Sequence, residues 1–171
     1  MQSDEVKICR MLAEVLSPRG KHGMGIHYLS LFVKEVLSID IYADELDNAR
    51  VYREYWIDEN RRIDIVISTP RRFIPIEVKL YANDQKSQCK DYYDYAQKQQ
   101  TIEKSKVYYL TLDSYFPQNS GANGLTKIEN NGILVGYEEI TPISFGNDIV
   151  YWLKMCIMSV IIKICLRHMS I

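Results

Sequence analysis

A mixed α/β fold, with helices covering one central β-sheet, follows from three patterns in the 171 residues. Two runs, Arg62 to Ile67 and Ile74 to Lys79, alternate residue by residue between Ile or Val and something else, the period-two mark of half-buried strands. Two N-terminal segments instead repeat apolar residues at helical spacing. A polar stretch rich in Gln, Lys and Tyr then separates the paired runs from later strand-like runs, and reads as a helix lying on the sheet. The expected order is helix, helix, three strands, helix, strand, strand, helix.

Taken in turn, Asp4 to Leu16 sets Val6, Cys9, Leu12, Ala13 and Leu16 on one helical face, and Ser17-Pro18-Arg19-Gly20 stops it. Gly25 to Leu37 forms a second amphipathic helix with Leu29, Phe32, Val33 and Val36 on one side. Val51 to Ile57 is a strand closed by Asp58-Glu59-Asn60, and the two alternating runs follow it as a hairpin. Ala82-Asn83-Asp84 can cap a helix running to about Gln100. Lys106 to Leu112 and Gly132 to Tyr137 are the remaining strands, separated by a breaker-rich stretch from Asp113 to Asn131. A loop of that length is a lid, a binding loop or disordered. The apolar run 149–171 closes the chain as a buried or partner-packed helix, because Lys154 and Lys163 interrupt it too often for a bilayer span.

With 47% hydrophobic and 25% charged residues, the chain is expected to be one domain over 1–171 with a real core. A net charge of -1 carries no global basic footprint. Locally, Arg61 to Lys106 holds ten Lys and Arg against six Asp and Glu, so positive charge gathers at the hairpin and the helix after it. Cys9, Cys89, Cys156 and Cys165 form no CxxC pair, and His22, His27 and His168 give no zinc spacing. Reduced thiols and the absence of a secretory pattern at Met1 to Glu5 place the protein in the cytoplasm.

Chemistry concentrates in the hairpin. If the two runs pair antiparallel about Pro70 and Arg71, Ile65 meets Ile76, Ile67 meets Ile74 and Ile63 meets Val78 on one apolar face. Asp64 then lies across from Glu77 on the other face, with Lys79 two residues along. Opposed carboxylates repel unless a cation lies between them. Mg²⁺ or Mn²⁺ suits such oxygen ligands, and the Val78 carbonyl can add a third. A metal there would activate water and offset phosphoryl charge, while Lys79 holds the phosphate or orients the water. The same spacing equally describes a salt-bridge cluster on a solvated sheet face. Gln88 and Tyr92, four apart on the following helix, project together toward the same region.

Asp64, the Glu77-Val78-Lys79 triplet and the Gln88 and Tyr92 pair resemble the signature of the PD-(D/E)XK nuclease superfamily: Asp, then Glu-x-Lys on the next strand, then Gln-x-x-x-Tyr on a helix. The proline that usually precedes the first aspartate is Ile63 here. Leu12 to Gly23, Arg61-Arg62-Ile63-Asp64, Asp84-Gln85, Tyr137 and Trp152-Leu153 further resemble a bacterial and phage subgroup, and the likeness covers about 5–155. This resemblance implies a restriction-endonuclease-like αβββαβ core and a Mg²⁺-dependent deoxyribonuclease. Asp64, Glu77 and Val78 would hold metal, Lys79 would serve catalysis, and Gln88 and Tyr92 would contact DNA. Glu5, Glu14, His22 and Glu54 are candidate accessory residues, the first two because relatives add a glutamate from the first helix. A catalytically inactive nucleic-acid-binding or protein-interaction module is the alternative. Expected partners are nucleic acid, no membrane, and a second copy or another protein on the C-terminal helix.

Overall fold

The computed structural model describes residues 2–99 and 101–169. The expected helix end at Gln100 and the last expected helical residues, Ser170 and Ile171, lie outside the described residues. Helices α1 (Gln2–Leu16), α2 (His27–Glu35) and α3 (Ala43–Asp47) precede strands β1 (Arg50–Trp56), β2 (Arg62–Ser68) and β3 (Phe73–Lys79). Then come α4 (Gln88–Lys98), β4 (Val107–Thr111), the hairpin β5 (Lys127–Asn130) and β6 (Ile133–Tyr137), β7 (Ile140–Ser144) and α5 (Val150–Met169).

Five strands form the central sheet in the order β1-β2-β3-β4-β7. The β1-β2-β3 half is antiparallel, and β4 and β7 join in parallel, so the sheet is mixed. The β2/β3 register is the one the alternation dictates: Ile65 with Ile76, Val66 with Pro75, Ile67 with Ile74 and Ser68 with Phe73. Thr69 closes the turn, accepting the N–H groups of Arg71 and Arg72 at 3.2 and 2.9 Å on its hydroxyl, which itself donates to Glu45 on α3 at 2.6 Å. Pro75 is tolerated in a central strand because β4 pairs only from Ile76 onward.

Two corrections concern this hairpin. The strands are not half-buried: every residue of β3 is buried, since helices cover both faces. α1, α2 and α5 pack with Ile65, Ile67, Ile74 and Ile76 on one face, and α4 packs with Val66 and Phe73 on the other. Ile63 does not continue the first face opposite Val78; the ladder stops at Ile65 and Ile76, and Ile63 joins the second cluster.

β6 is not the fifth strand of the sheet. It pairs with β5 alone, through a turn in which Asn131 and Gly132 both take positive φ, 51° and 77°. That is the Asn-Gly geometry of a tight hairpin, and it leaves Ile133, Leu134 and Val135 exposed. The fifth place belongs to β7, whose central Pro142 is admissible on an edge strand. The stretch 113–131 is thus an ordered connection containing a 3-10 turn at Asn119–Ala122 and β5.

Along α1 it is Glu5, not Val6, that is buried, while Val6 is 44% exposed. In α5 the buried core residues lie in the first half, with Val160 packing partly against them. Trp152 is fully buried, meets Phe32 edge-on at 5.1 Å and donates its indole N–H to the Tyr28 carbonyl at 3.0 Å. Beyond Cys156, Ile157, Met158, Ile161, Ile162, Ile164 and Leu166 are exposed. By length and composition Phe145–Leu166 is apolar enough to cross a membrane, and Ile149, Trp152 and Cys156 within it reach the protein core.

Candidate active site

The site opens where the β2/β3 ladder stops. Past Ile65 and Ile76, the Val78 N–H, which a continued ladder would give to the β2 backbone, donates instead to Asp64 Oδ2 at 2.9 Å. The aspartate side chain thus replaces a ladder bond and wedges the strands apart at this end. Opposite it on β1, Glu54 adopts a left-handed φ of 55°, a sparsely populated conformation for a non-glycine strand residue. A cavity of about 660 Å³ results, and Glu5, Asp64, Glu77, Lys79, Gln88 and Tyr92 all reach it.

Glu77 is 1% exposed. Its Oε1 accepts from Lys79 Nζ at 2.8 Å, while its Oε2 has no hydrogen-bond partner. Burial first, and the neighbouring Asp64 second, push the Glu77 carboxyl well above the usual carboxylate range, against the pull of Lys79. Asp64 is also raised, chiefly by burial, although the Val78 N–H and Lys79 stabilise its ionised form. Lys79 is the mirror case: burial disfavours its charge, but Glu77, Asp64 and Asp84 outweigh that and raise its pKa. Two carboxylates therefore share one ammonium, and one positive charge fewer than the acids require is present.

Among the described residues no group of three or more His, Cys, Asp or Glu side chains is gathered so as to hold a metal ion. Mg²⁺ needs fewer, commonly one or two protein carboxylates with waters completing its shell. An orphaned, buried carboxylate oxygen beside a second carboxylate fits that donor set. The Cys9 thiol borders the same cavity, and burial first, then Asp64 and Glu77, raise its pKa.

The accessory candidates separate cleanly. Glu5 enters the cavity wall, and its Oε1 accepts three backbone N–H groups, from Leu80, Tyr81 and Ala82, at 2.8, 2.6 and 2.9 Å. It clamps the chain as it leaves β3, immediately after Lys79. Glu54 sits on the rim, 3.1 Å from Arg62 Nη1. Glu14 and His22 lie away from the cavity: Glu14 accepts the Lys21 N–H at 2.8 Å, and His22 bridges Ser17 O and Met24 N at 2.9 and 3.0 Å. Both shape the turn after α1.

Gln88 and Tyr92 are brought together but buried. Gln88 donates to the Tyr92 hydroxyl at 2.8 Å, and that hydroxyl donates to the Arg62 carbonyl at 2.6 Å. The pair braces the start of β2 against α4. Asp84 does not cap α4, which starts at Gln88; it accepts from the Tyr109 hydroxyl and from the Gln118 N–H at 3.0 Å, tying down the long connection. Arg61 holds α4 to β2 through Asp91 at 2.7 Å and Gln85 at 2.9 Å. Sequence reasoning passed over Trp56, which borders the cavity; the signal was an aromatic side chain at a strand end next to the polar Asp58-Glu59-Asn60 turn.

A mixed sheet of this topology, flanked by helices and carrying Asp, Glu-x-Lys and a buried Gln-Tyr brace at one strand end, defines a restriction-endonuclease-like protein. The family model of the PD-(D/E)XK nuclease superfamily matches residues 1–167, and the chain belongs to that superfamily. Membership implies a nuclease, and such enzymes generally use divalent metals. No curated protein and no solved structure gives a significant match to the chain.

Proposed function

We propose that the protein hydrolyses phosphodiester bonds in DNA with Mg²⁺ or Mn²⁺ bound by Asp64, Glu77 and the Val78 carbonyl. The observation that carries this reading is Glu77 Oε2, a buried carboxylate oxygen with no hydrogen-bond partner, facing a cavity that also holds Asp64 and Lys79. Evolution tolerates such a charge deficit where a ligand relieves it. When bound, the metal would lower the pKa of a water and offset charge on the phosphoryl oxygens.

The chain's own groups supply the rest. Lys79, held by Glu77 at 2.8 Å, directs its ammonium at the attacking water or the phosphate. Asp64 keeps β2 and β3 apart, so the scissile group can approach the strand end. Gln88 and Tyr92 fix the β2 backbone at Arg62 and thereby the position of Asp64, two residues on. Water adds to phosphorus, the bond to the leaving sugar oxygen breaks, and a proton passes to that oxygen; no covalent enzyme intermediate forms. In the same reading the protein works in the cytoplasm, with its four thiols free, and the exposed outer half of α5 packs on a second copy or another protein. Light scattering of the purified protein tests that last element.

Lys79→Ala is the direct test. Removing a charge aimed at the reacting phosphate is expected to slow cleavage by at least about 100-fold in protein that circular dichroism shows to be folded, with a lowered melting temperature because buried Glu77 loses its ion-pair partner. Undiminished cleavage in that variant would remove Lys79 from the mechanism.

A further inference from the structure

We propose that the nucleic acid enters this site as an unpaired strand, with a base stacked on the indole of Trp56. The inference rests on the nuclease reading and adds the substrate's form to it.

Trp56 is the last residue of β1 and 59% exposed, so its indole is open to a ligand. It borders the same cavity as Asp64 and Glu77. Arg62, its cross-strand partner, sets its guanidinium 5.4 Å from the centre of the indole ring, and Glu54 holds that guanidinium at 3.1 Å. One side of the ring thus carries a cation that is itself ion-paired to Glu54. Across the cavity Tyr81 is 52% exposed, and the Glu5 carboxylate holds its backbone N–H at 2.6 Å. Two exposed aromatic residues therefore line the cavity that holds the carboxylates.

Charge argues in the same direction. The cavity's cations are Arg53, Arg62 and Lys79, and its acids are Glu5, Glu54, Asp64 and Glu77, so phosphate attraction alone is weak here. A duplex offers mainly phosphates to such a surface, its bases being stacked inside. An unpaired strand also offers base faces, and every base has one. Aromatic stacking supplies the affinity that the charge balance withholds.

The chain reports on this directly. It has two tryptophans, and Trp152 is fully buried with its N–H bonded to Tyr28, so a change of emission on binding comes from Trp56. Asp64→Asn, whose amide oxygen can still accept the Val78 N–H, keeps the substrate intact during titration. A mixed-sequence single-stranded DNA is expected to quench the emission and to bind more tightly than its blunt duplex. Trp56→Ala on that background should weaken single-strand binding by roughly 5- to 150-fold, and Trp56→Phe should recover part of it. Equal affinity in Trp56→Ala, or a preference for duplex, overturns the inference. Cleavage by the otherwise wild-type chain separates it from the nuclease reading. If Trp56→Ala cuts as well as wild type, stacking is refuted and the nuclease stands. If single strands bind through Trp56 and are never cut, the reverse holds. Absence of any binding overturns both.

Discussion

Glu77 is buried with one carboxylate oxygen unpartnered. Its carboxyl binds a proton more tightly in the folded protein than in the unfolded chain, and so does that of Asp64. The sign follows: this pair favours folding fully at low pH, below the ordinary carboxyl range, and the favour is lost as pH rises through the raised values. Metal-free Asp64→Asn, which removes one of the two repelling charges, should therefore be more stable than wild type near neutrality by about 1–2 kcal/mol, with the difference closing in acid. Urea denaturation across pH measures it. Mg²⁺ or Mn²⁺ should raise the wild-type melting temperature at neutral pH and lose that effect as the carboxyls protonate. Glu5 contributes through hydrogen bonds instead, its Oε1 accepting three backbone N–H groups at once. Glu5→Ala leaves the buried Leu80 N–H without its acceptor and should cost about 1–3 kcal/mol in the same denaturation measurement, whereas Glu5→Gln keeps an acceptor and should cost less. Asp64, Glu77 and Lys79 were legible as one constellation because a period-two pattern fixes register. The clamp by Glu5 was not, because nothing local tells a helix residue that a strand end will arrive against it.

At the level of elements, what the sequence revealed depended on how many residues shared a pattern. The β2/β3 hairpin was readable from four isoleucines whose faces must match, and α2 from its apolar stripe, all of whose expected members are buried. β7 was not readable: five residues with a central proline make too short a signal, and only its place on the sheet edge makes it a strand. Asn131-Gly132 did carry the mark of an independent hairpin, which accounts for β6 leaving the central sheet. α5 divides into an anchoring half and an exposed half, so substitutions along it should have unequal effects. Trp152→Ala removes a fully buried indole and its hydrogen bond to α2, with an expected loss of about 3–5 kcal/mol. Ile161→Ala, on the exposed half, should change monomer stability by less than about 0.5 kcal/mol. Thermal melting of the two variants side by side distinguishes these roles.

Over the whole molecule, the sheet changes from antiparallel to parallel at β3, a strand buried along its whole length, and the site lies at the end of that strand where β2 parts from it. The positive balance of residues 61–106 runs through β2, β3 and α4, the elements that build the cavity, while the rest of the chain is acidic. The cavity lining itself holds three cations against four acids, so that positive excess lies outside it. Fold and site converge on one end of one strand, and the superfamily match across nearly the entire chain agrees with them. The decisive measurement is a titration of Mg²⁺ and Mn²⁺ into wild type and Asp64→Ala with mixed DNA and RNA substrates. Cleavage of DNA that appears with metal in wild type and is lost in Asp64→Ala is expected. Cleavage that needs no metal, or that Asp64→Ala performs equally well, would show that the two carboxylates are not a catalytic metal centre.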